Sequence, residues 1–435
     1  MLYDNLTTNE KGHLCFVGRD TVELAEKYGT PVYIMDEERI RSHMLKYKNA
    51  MEKHFGGNSL PYYASKALCI GHILSMADEC GIGVDVVSGG EIYTALRAGF
   101  PAERLCFHGS SKTIGEIDYA IKSGVGLFVC DNLTELERIS ACALRNGVRQ
   151  RVLLRITPGI DPHTFAAVAT GLIDSKFGLP IATGQAKKFT AAALKTEGIE
   201  LLGFHCHIGS EIFDSVPLCD EARVMADFAA DVRAELGFEA RLIDLGGGFG
   251  VPYSESERAP DIDGMIAMIA ECFHAEMRSR GFRRVDVIME PGRSIVADAG
   301  ITLYEIQDVK RIPGFKSYAA VDGGMADNPR YALYGAEHEV LSAERPTAPA
   351  RERFTIAGRC CESGDMIREN VPLPCIEPGE HLAVLTTGAY NYSMASHYNC
   401  VPRPPIVMLS GGRDYIAVRR ETYEDMTACQ FTEGK

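Results

Sequence analysis

Short apolar, β-branched stretches alternate with amphipathic runs from residue 59 onward. LPYYASKA at 60–67 followed by CIGHILSMADECG is the first such pair, a strand and then a helix with one apolar face. GVDVVS at 83–88, LCFHGS at 105–110, LFVCDN at 127–132 and VLLRITPG at 152–159 open the next units. Their spacing of about 22 to 25 residues suits parallel strands joined by helical crossovers. Wider units open with LLGFHCHIGS at 201–210, RLIDLGGGFG at 241–250 and VDVIMEPGR at 285–293, separated by helix patterns such as CDEARVMADFAADVRAEL and IDGMIAMIAECFHAEMRSRG. Eight β/α units predict an α/β fold in which the strands close into a TIM (β/α)8 barrel.

After Arg293 the pattern changes. GITLYEIQDVKRIPG, RFTIAGRC, EHLAVLTTGAY and DYIAVRRE are rich in Thr, Val and Ile and broken by turn residues, which predicts a second, mostly antiparallel β-sandwich or β-barrel domain. GHLCFVG and PVYIMDEERI near the start have the same character, so both chain ends are expected to build it. The expected division is 1–36 as the N-terminal part of the β domain, 37–296 as the barrel and 297–435 as the C-terminal β domain.

The C-terminal strand ends of a barrel ring one mouth, and here they turn polar together, at Lys66, Asp85, His108, Arg155, His207, Gly246 to Gly248 and Glu290. A single polar strand end is more often a cap or a loop hydrogen bond than a functional group. Joint placement across more than 220 positions of sequence argues for a site.

Composition narrows what that site serves. Lys+Arg 45 against Asp+Glu 59 leaves a net charge of −14, which repels phosphate backbones and anionic membrane surfaces, so neither is an expected partner. No apolar run approaches the roughly 18 residues of a membrane-spanning helix. MLYDNLTTNEKG lacks the basic and apolar regions of a signal peptide, so a cytoplasmic location is expected. The 14 cysteines show neither C-x-x-C nor paired-His spacing, so no disulfide framework and no metal site is expected. Cys360 and Cys361 stand apart from packing thiols, lying between Arg359 and a Glu-Ser-Gly-Asp run.

Candidate chemistry follows from residue type. Gly246, Gly247 and Gly248 follow strand seven, where a glycine-rich turn can offer backbone N–H groups to a phosphate, and a tight turn explains them equally well. The third glycine of a dinucleotide fingerprint is out of register. Ser210 can add a hydroxyl. Lys66, in an apolar stretch at the mouth, is expected to have its amine favoured in the neutral, nucleophilic form by desolvation. Glu290 can hold a proton on a pyridine nitrogen and make the ring an electron sink, with His207 flat against it.

At these residues a resemblance becomes plain. YYASKA, GVDVVSGGE, HCHIGS, DLGGGFG, EPGRS, VDGGMADNPRYALYG, CESGD and GAYNYSMASHYN occur in the order of the alanine-racemase-like, fold type III pyridoxal phosphate enzymes, most closely of their diaminopimelate-decarboxylating branch, over residues 20–415 or so. The resemblance implies pyridoxal 5′-phosphate carried on Lys66, with Asp85, His207, Ser210, Gly247, Gly248, Glu290, Arg293 and Tyr390 around it. It implies Arg293, Arg330, Tyr334, Glu362 and Tyr390 as substrate-holding groups, and Cys361 as the proton donor. In such enzymes Cys361 and Glu362 reach the neighbouring subunit's site, which implies a homodimer with shared active sites. The implied reaction converts meso-2,6-diaminopimelate to L-lysine and CO2, the last step of lysine biosynthesis.

Ser110 and Ser111 in HGSSK, and His397 in ASHYN, stand where the resembled enzymes commonly carry asparagine. Related decarboxylases acting on carboxynorspermidine, arginine or a D-amino acid are the nearest alternatives, and CESGD and NPRYALYG argue against them. A non-catalytic pyridoxal phosphate carrier or a cofactor-free barrel are readings from other classes, disfavoured by the second domain and the motif set.

Overall fold

The computed structural model describes residues 1–161 and 171–431. The expected ranges 37–296 and 297–435 extend over residues 162–170 and 432–435, which lie outside the described residues. The chain forms two compact units. One is Arg41–Val251 with Ala259–Ile295, and the other is Met1–Ile40, Pro252–Arg258 and Val296–Lys435.

The first unit is the predicted barrel. Its strands are β1 (Leu60–Ala64), β2 (Gly83–Val86), β3 (Leu105–Phe107), β4 (Leu127–Cys130), β5 (Gln150–Thr157), β6 (Ile199–His205), β7 (Leu242–Asp244) and β8 (Asp286–Met289). All neighbours pair in parallel and β8 returns to β1, closing the sheet. Helices α1 (Gly71–Glu79), α2 (Gly89–Arg97), α3 (Ile114–Lys122), α4 (Leu133–Arg145), α5 (Gln185–Ala193), α6 (Val216–Leu236) and α7 (Ile262–Ser279) accompany them. Three successive helices begin on side-chain caps. Ser88 accepts from Glu91 N, Thr113 forms a capping box with Glu116, and Asn132 accepts from Glu135 N. Each cap fixes where a strand-to-helix loop ends, and so holds the rim of the mouth. On the outer layer α6 buries Met225, Ala229 and Val232 and α7 buries Ile266, Ile269 and Phe273, the helical spacing expected of an amphipathic face.

The second unit draws strands from both ends of the chain. Leu6–Thr8, Leu14–Phe16 and Arg19–Asp20 make a small antiparallel sheet. In the larger sheet, Gly300–Arg311 pairs antiparallel with Val32–Asp36, His381–Val384 and Ser317–Val321. Two of its pairings are parallel, Ser317–Val321 with Glu352–Ala357 and Val32–Asp36 with Ile406–Ser410. The other pairings among the described residues are antiparallel, as expected. Period-two alternation lets one strand serve two cores. Ile301 and Leu303 enter a cluster with Leu14, Phe16, Ile34 and Val407, while Tyr304 and Ile306 enter another with Phe354, Ile356 and Val371.

Among the described residues no helix is long and apolar enough to cross a membrane. The 14 cysteines are all free.

Candidate active site

Register brings polar groups together inside the barrel. Arg155, His205 and Asp244 are successive partners across β5, β6 and β7, and Asp85 pairs with Cys106 across β2 and β3. Just past these strand ends come His207, Gly246 and His108. Glu290 directly follows β8 and is buried. Its Oε1 lies 2.6 Å from His108 Nε2 and its Oε2 lies 3.3 Å from His205 Nε2. The two imidazoles meet edge to face with centroids 4.9 Å apart.

These contacts decide who is charged. Burial opposes ionisation of Glu290, but the imidazoles of His108 and His205 outweigh it and hold the carboxyl well below the usual range. His205 is pushed down to about 3 by burial, against the pull of Glu290, so it is neutral. Burial raises Asp244 well above the ordinary value, and the Glu290 charge adds to it. Burial raises Asp85 as well, against the pull of His108. Glu290 is therefore the carboxyl of the cluster most disposed to ionise. His108, His205 and Glu290, and likewise Cys106, His108 and Asp244, have ligand atoms within 4.8 Å of one another. The His205 hydrogen bond to Glu290 and the Cys106 Sγ to His108 Nε2 bond at 3.1 Å account for that closeness as a hydrogen-bonded cluster.

The glycine turn after β7 sits against the loop after β6. Gly247 N donates to His207 Nδ1 at 3.3 Å, which places the proton of this half-buried imidazole on Nε2. Desolvation and the facing cations Lys66 and Arg155 hold His207 neutral, well below its ordinary pKa. Gly246 (φ +61°) and Gly248 (φ +112°) use backbone conformations that side chains rarely adopt. A Cβ on Gly248 would meet Gly209 O at 2.5 Å. Arg293, buried, reaches Ser210 Oγ with Nη2 at 3.0 Å and Glu211 Oε1 with Nε at 2.9 Å. Behind the turn, Glu221 of α6 lines an apolar pocket with Leu245, Gly246, Gly247 and Phe249, and burial pushes its carboxyl up to about 8.

Lys66 follows β1 in a short 3-10 turn, Ser65–Ala67. It is solvent-exposed, which corrects the expectation that desolvation would neutralise its amine. Strand β1 stops at Ala64, so the lysine stands above the apolar stretch that was expected to bury it.

The second unit gathers another set of the predicted residues. The Arg330 guanidinium is buried and lies 5.6 Å from the ring centroids of Tyr334 and Tyr390 and 5.8 Å from that of Tyr253. Cys361 and Glu362 are exposed on a turn whose base is buried Asp365, which accepts from Cys360 N at 2.6 Å and Met325 N at 2.5 Å. Cys361 N donates to Asn399 Oδ1 at 2.6 Å. His397, one of the departures, is bonded to Glu421 Oε2 at 2.6 Å. Ser110 is half-buried and Ser111 exposed.

Sequence reasoning missed His205, Asp244, Glu211, Glu221 and Tyr253. The first was within reach, since His205 stands two positions before His207 in FHCHI and only the latter was singled out. Asp244 likewise precedes Gly246 by two positions.

The residues fit a pyridoxal phosphate. Glu290 Oε1 is a buried carboxylate oxygen that accepts no hydrogen bond among the described residues despite its closeness to His108, an acceptor suited to a ring N–H. The glycine turn is a cradle that side chains at Gly246 and Gly248 would fill.

Residues 37–297 match the family model of the pyridoxal-dependent decarboxylases, pyridoxal binding domain. A diaminopimelate decarboxylase from Bacillus methanolicus is 43% identical over 413 residues, covering 95% of this chain and 95% of the relative. That of Bacillus subtilis (strain 168) is 42% identical over 98% of this chain and 97% of its own length. Among solved structures, the diaminopimelate decarboxylase of M. jannaschii in complex with L-lysine superposes with a TM-score of 0.90 at 34% identity, covering 99% of this chain and 98% of that one.

Proposed function

Because the chain belongs to the pyridoxal-dependent decarboxylases, and within them to the diaminopimelate decarboxylase family, we infer that it converts meso-2,6-diaminopimelate to L-lysine and CO2 with pyridoxal 5′-phosphate as cofactor. It is a carboxy-lyase of the last step of lysine biosynthesis, acting in the cytoplasm as a homodimer. The observation that carries the reading is a barrel mouth holding Lys66, a glycine turn, a neutral His207 and one ionised buried carboxylate, Glu290.

When bound, the cofactor supplies a sink for the electron pair left behind as the α-carboxylate departs. The chain's residues do the rest. Lys66 would hold the cofactor through its amine, at the place where the substrate amine must bind. Gly247, Gly248, Ser210, Arg293 and Tyr390 hold the phosphate through N–H, hydroxyl and guanidinium donors. His207 faces the ring as a neutral imidazole. Glu290 keeps a proton on the ring nitrogen, and Asp85 faces the lysine across the mouth. Arg293, Arg330, Tyr334, Glu362 and Tyr390 hold the substrate, whose distal end is a second amino-acid head that needs both a cation and an anion. Cys361 returns a proton to Cα. Cys361 and Glu362 act in the partner subunit's site, a role suited to their exposed turn.

CO2 release from meso-diaminopimelate, lysine, ornithine and arginine, measured side by side, tests the substrate. Preference for meso-diaminopimelate is expected, and equal or greater release from one of the others sinks it. Borohydride reduction of the loaded protein followed by peptide mapping should mark Lys66.

A further inference from the structure

Two histidines of the barrel interior have no part in the reaction as derived above, yet they touch its central carboxylate. His108 and His205 come from different strands and give Glu290 one imidazole per oxygen, at 2.6 Å and 3.3 Å. Neither is accessible, at 4% and 1% exposure, and their rings brace each other edge to face. Asp85, Asp244 and Cys106 lie around the same cluster, and Lys66, Arg155 and His207 face it from the mouth. A carboxylate beside two other buried carboxyls has every electrostatic reason to take up a proton and turn away. A protonated Glu290 would donate where it must accept.

We propose that His205, hydrogen-bonded to Oε2, and His108, packed against Oε1 and bonded to Cys106 Sγ at 3.1 Å, are positioning residues that hold Glu290 as an oriented anion able to keep a proton on the ring nitrogen. This rests on the pyridoxal phosphate reading. The clamp costs Glu290 little of its capacity, because Oε1 accepts no hydrogen bond among the described residues and keeps its lone pairs for the ring. His205 Nε2–H serves as donor, since the neutral ring carries a single proton and its Nδ1 is a buried atom without a partner among the described residues. Burial disfavours the charged forms of the neighbouring Asp244 and Asp85, so Glu290 is the carboxyl of the cluster most disposed to carry the charge.

The test uses the loaded full-length protein with cofactor labelled with 15N in its ring. His205→Gln keeps a donor near the Nε2 position, whereas His205→Met removes it, and the same pair is made at His108. In wild type and the Gln variants the ring-nitrogen signal should report a bound proton. In the Met variants it should move toward the unprotonated position, with kcat down at least about tenfold and KM within about threefold, as loss of a charge-assisted bond implies. In a Glu290→Gln background the Met changes should have less than about a twofold further effect on kcat. Unmoved nitrogen signals in folded Met variants overturn the clamp, as do fully additive losses with Glu290→Gln. If a Met variant does not fold, His205→Asn and His108→Asn, too short to reach the carboxylate, replace it with the same expected outcomes. Cofactor bound to Lys66 with unmoved signals sinks the clamp alone, and failure of wild type to bind the cofactor sinks the underlying reading with it.

Discussion

Lys112 Nζ and Glu135 Oε1 lie 2.7 Å apart with side chains 1% and 3% exposed, an ion pair inside the barrel unit. The ammonium also donates to Gly109 O at 2.8 Å and Val129 O at 2.7 Å. One lysine therefore ties the loop after His108 to β4 and to the first turn of α4. Lys112→Met leaves Glu135 buried and unpaired, which costs about 3 to 5 kcal/mol. The double change Lys112→Met with Glu135→Leu should recover most of that loss in denaturant unfolding. A double variant as unstable as the single one shows that the backbone bonds of Lys112, and not the charge pair, hold the loop.

Glu221 makes stability fall as pH rises. Its carboxyl titrates near its ordinary 4.5 in the unfolded chain and near about 8 in the fold, so between these values the folded state binds the extra proton. Where the native state holds more protons, stability declines with pH, by roughly 1.4 kcal/mol per unit. Glu221→Gln removes the titration and should be more stable than wild type at pH 8 by roughly 3 kcal/mol relative to the difference at pH 5. Equal pH profiles of thermal unfolding for the two proteins contradict the assignment.

Legibility in the sequence depended on distance along the chain. The first four barrel strands were visible because each is short, mostly apolar and soon followed by its helix, and the later ones because their apolar runs end in polar motifs. Their polar ends were visible for the same reason. The Glu290 cluster was only half visible, because His108 and His205 look like isolated strand-end residues until closure of the barrel brings β3, β6 and β8 around one axis. The Lys112 and Glu135 pair was hidden in two segments that each look like a solvated loop and a helix start. Tyr253 was invisible as a neighbour of Arg330, since nothing in VPYSES announces that 252–258 belong with the second unit.

Glu290→Gln should bind the cofactor and lose at least about 100-fold in turnover, the scale of about 3 kcal/mol of charge-assisted bonding lost from the transition state. Unchanged turnover contradicts its role at the ring nitrogen.

Gly248→Ala should weaken cofactor binding at least about tenfold, because a side chain is strained at φ +112° and its Cβ would press on Gly209 O. Equilibrium titration of the apoprotein, followed by absorbance, measures this. An unaltered affinity shows that the turn is not the phosphate cradle.

Mixing inactive Lys66→Ala chains with inactive Cys361→Ala chains should restore activity toward about a quarter of wild type, since random pairing makes half the dimers mixed and each has one intact site of two. Confirmed chain exchange without any recovery places both residues in their own subunit's site.

Ile34 and Val407 are register partners in the middle of the larger sheet of the second unit, nearly the whole chain apart. Val32–Asp36 therefore leaves the ribosome before the barrel but gains its parallel neighbour Ile406–Ser410 only after the whole barrel has been made. Until then one edge of this apolar strand is unpaired and open to strands of other nascent chains. The barrel residues, by contrast, are all made before that pairing can occur. The enzyme's yield in the cell should thus hinge on the strand Ile406–Ser410, and truncations ending before Ile406 should accumulate as aggregates even with every barrel residue intact.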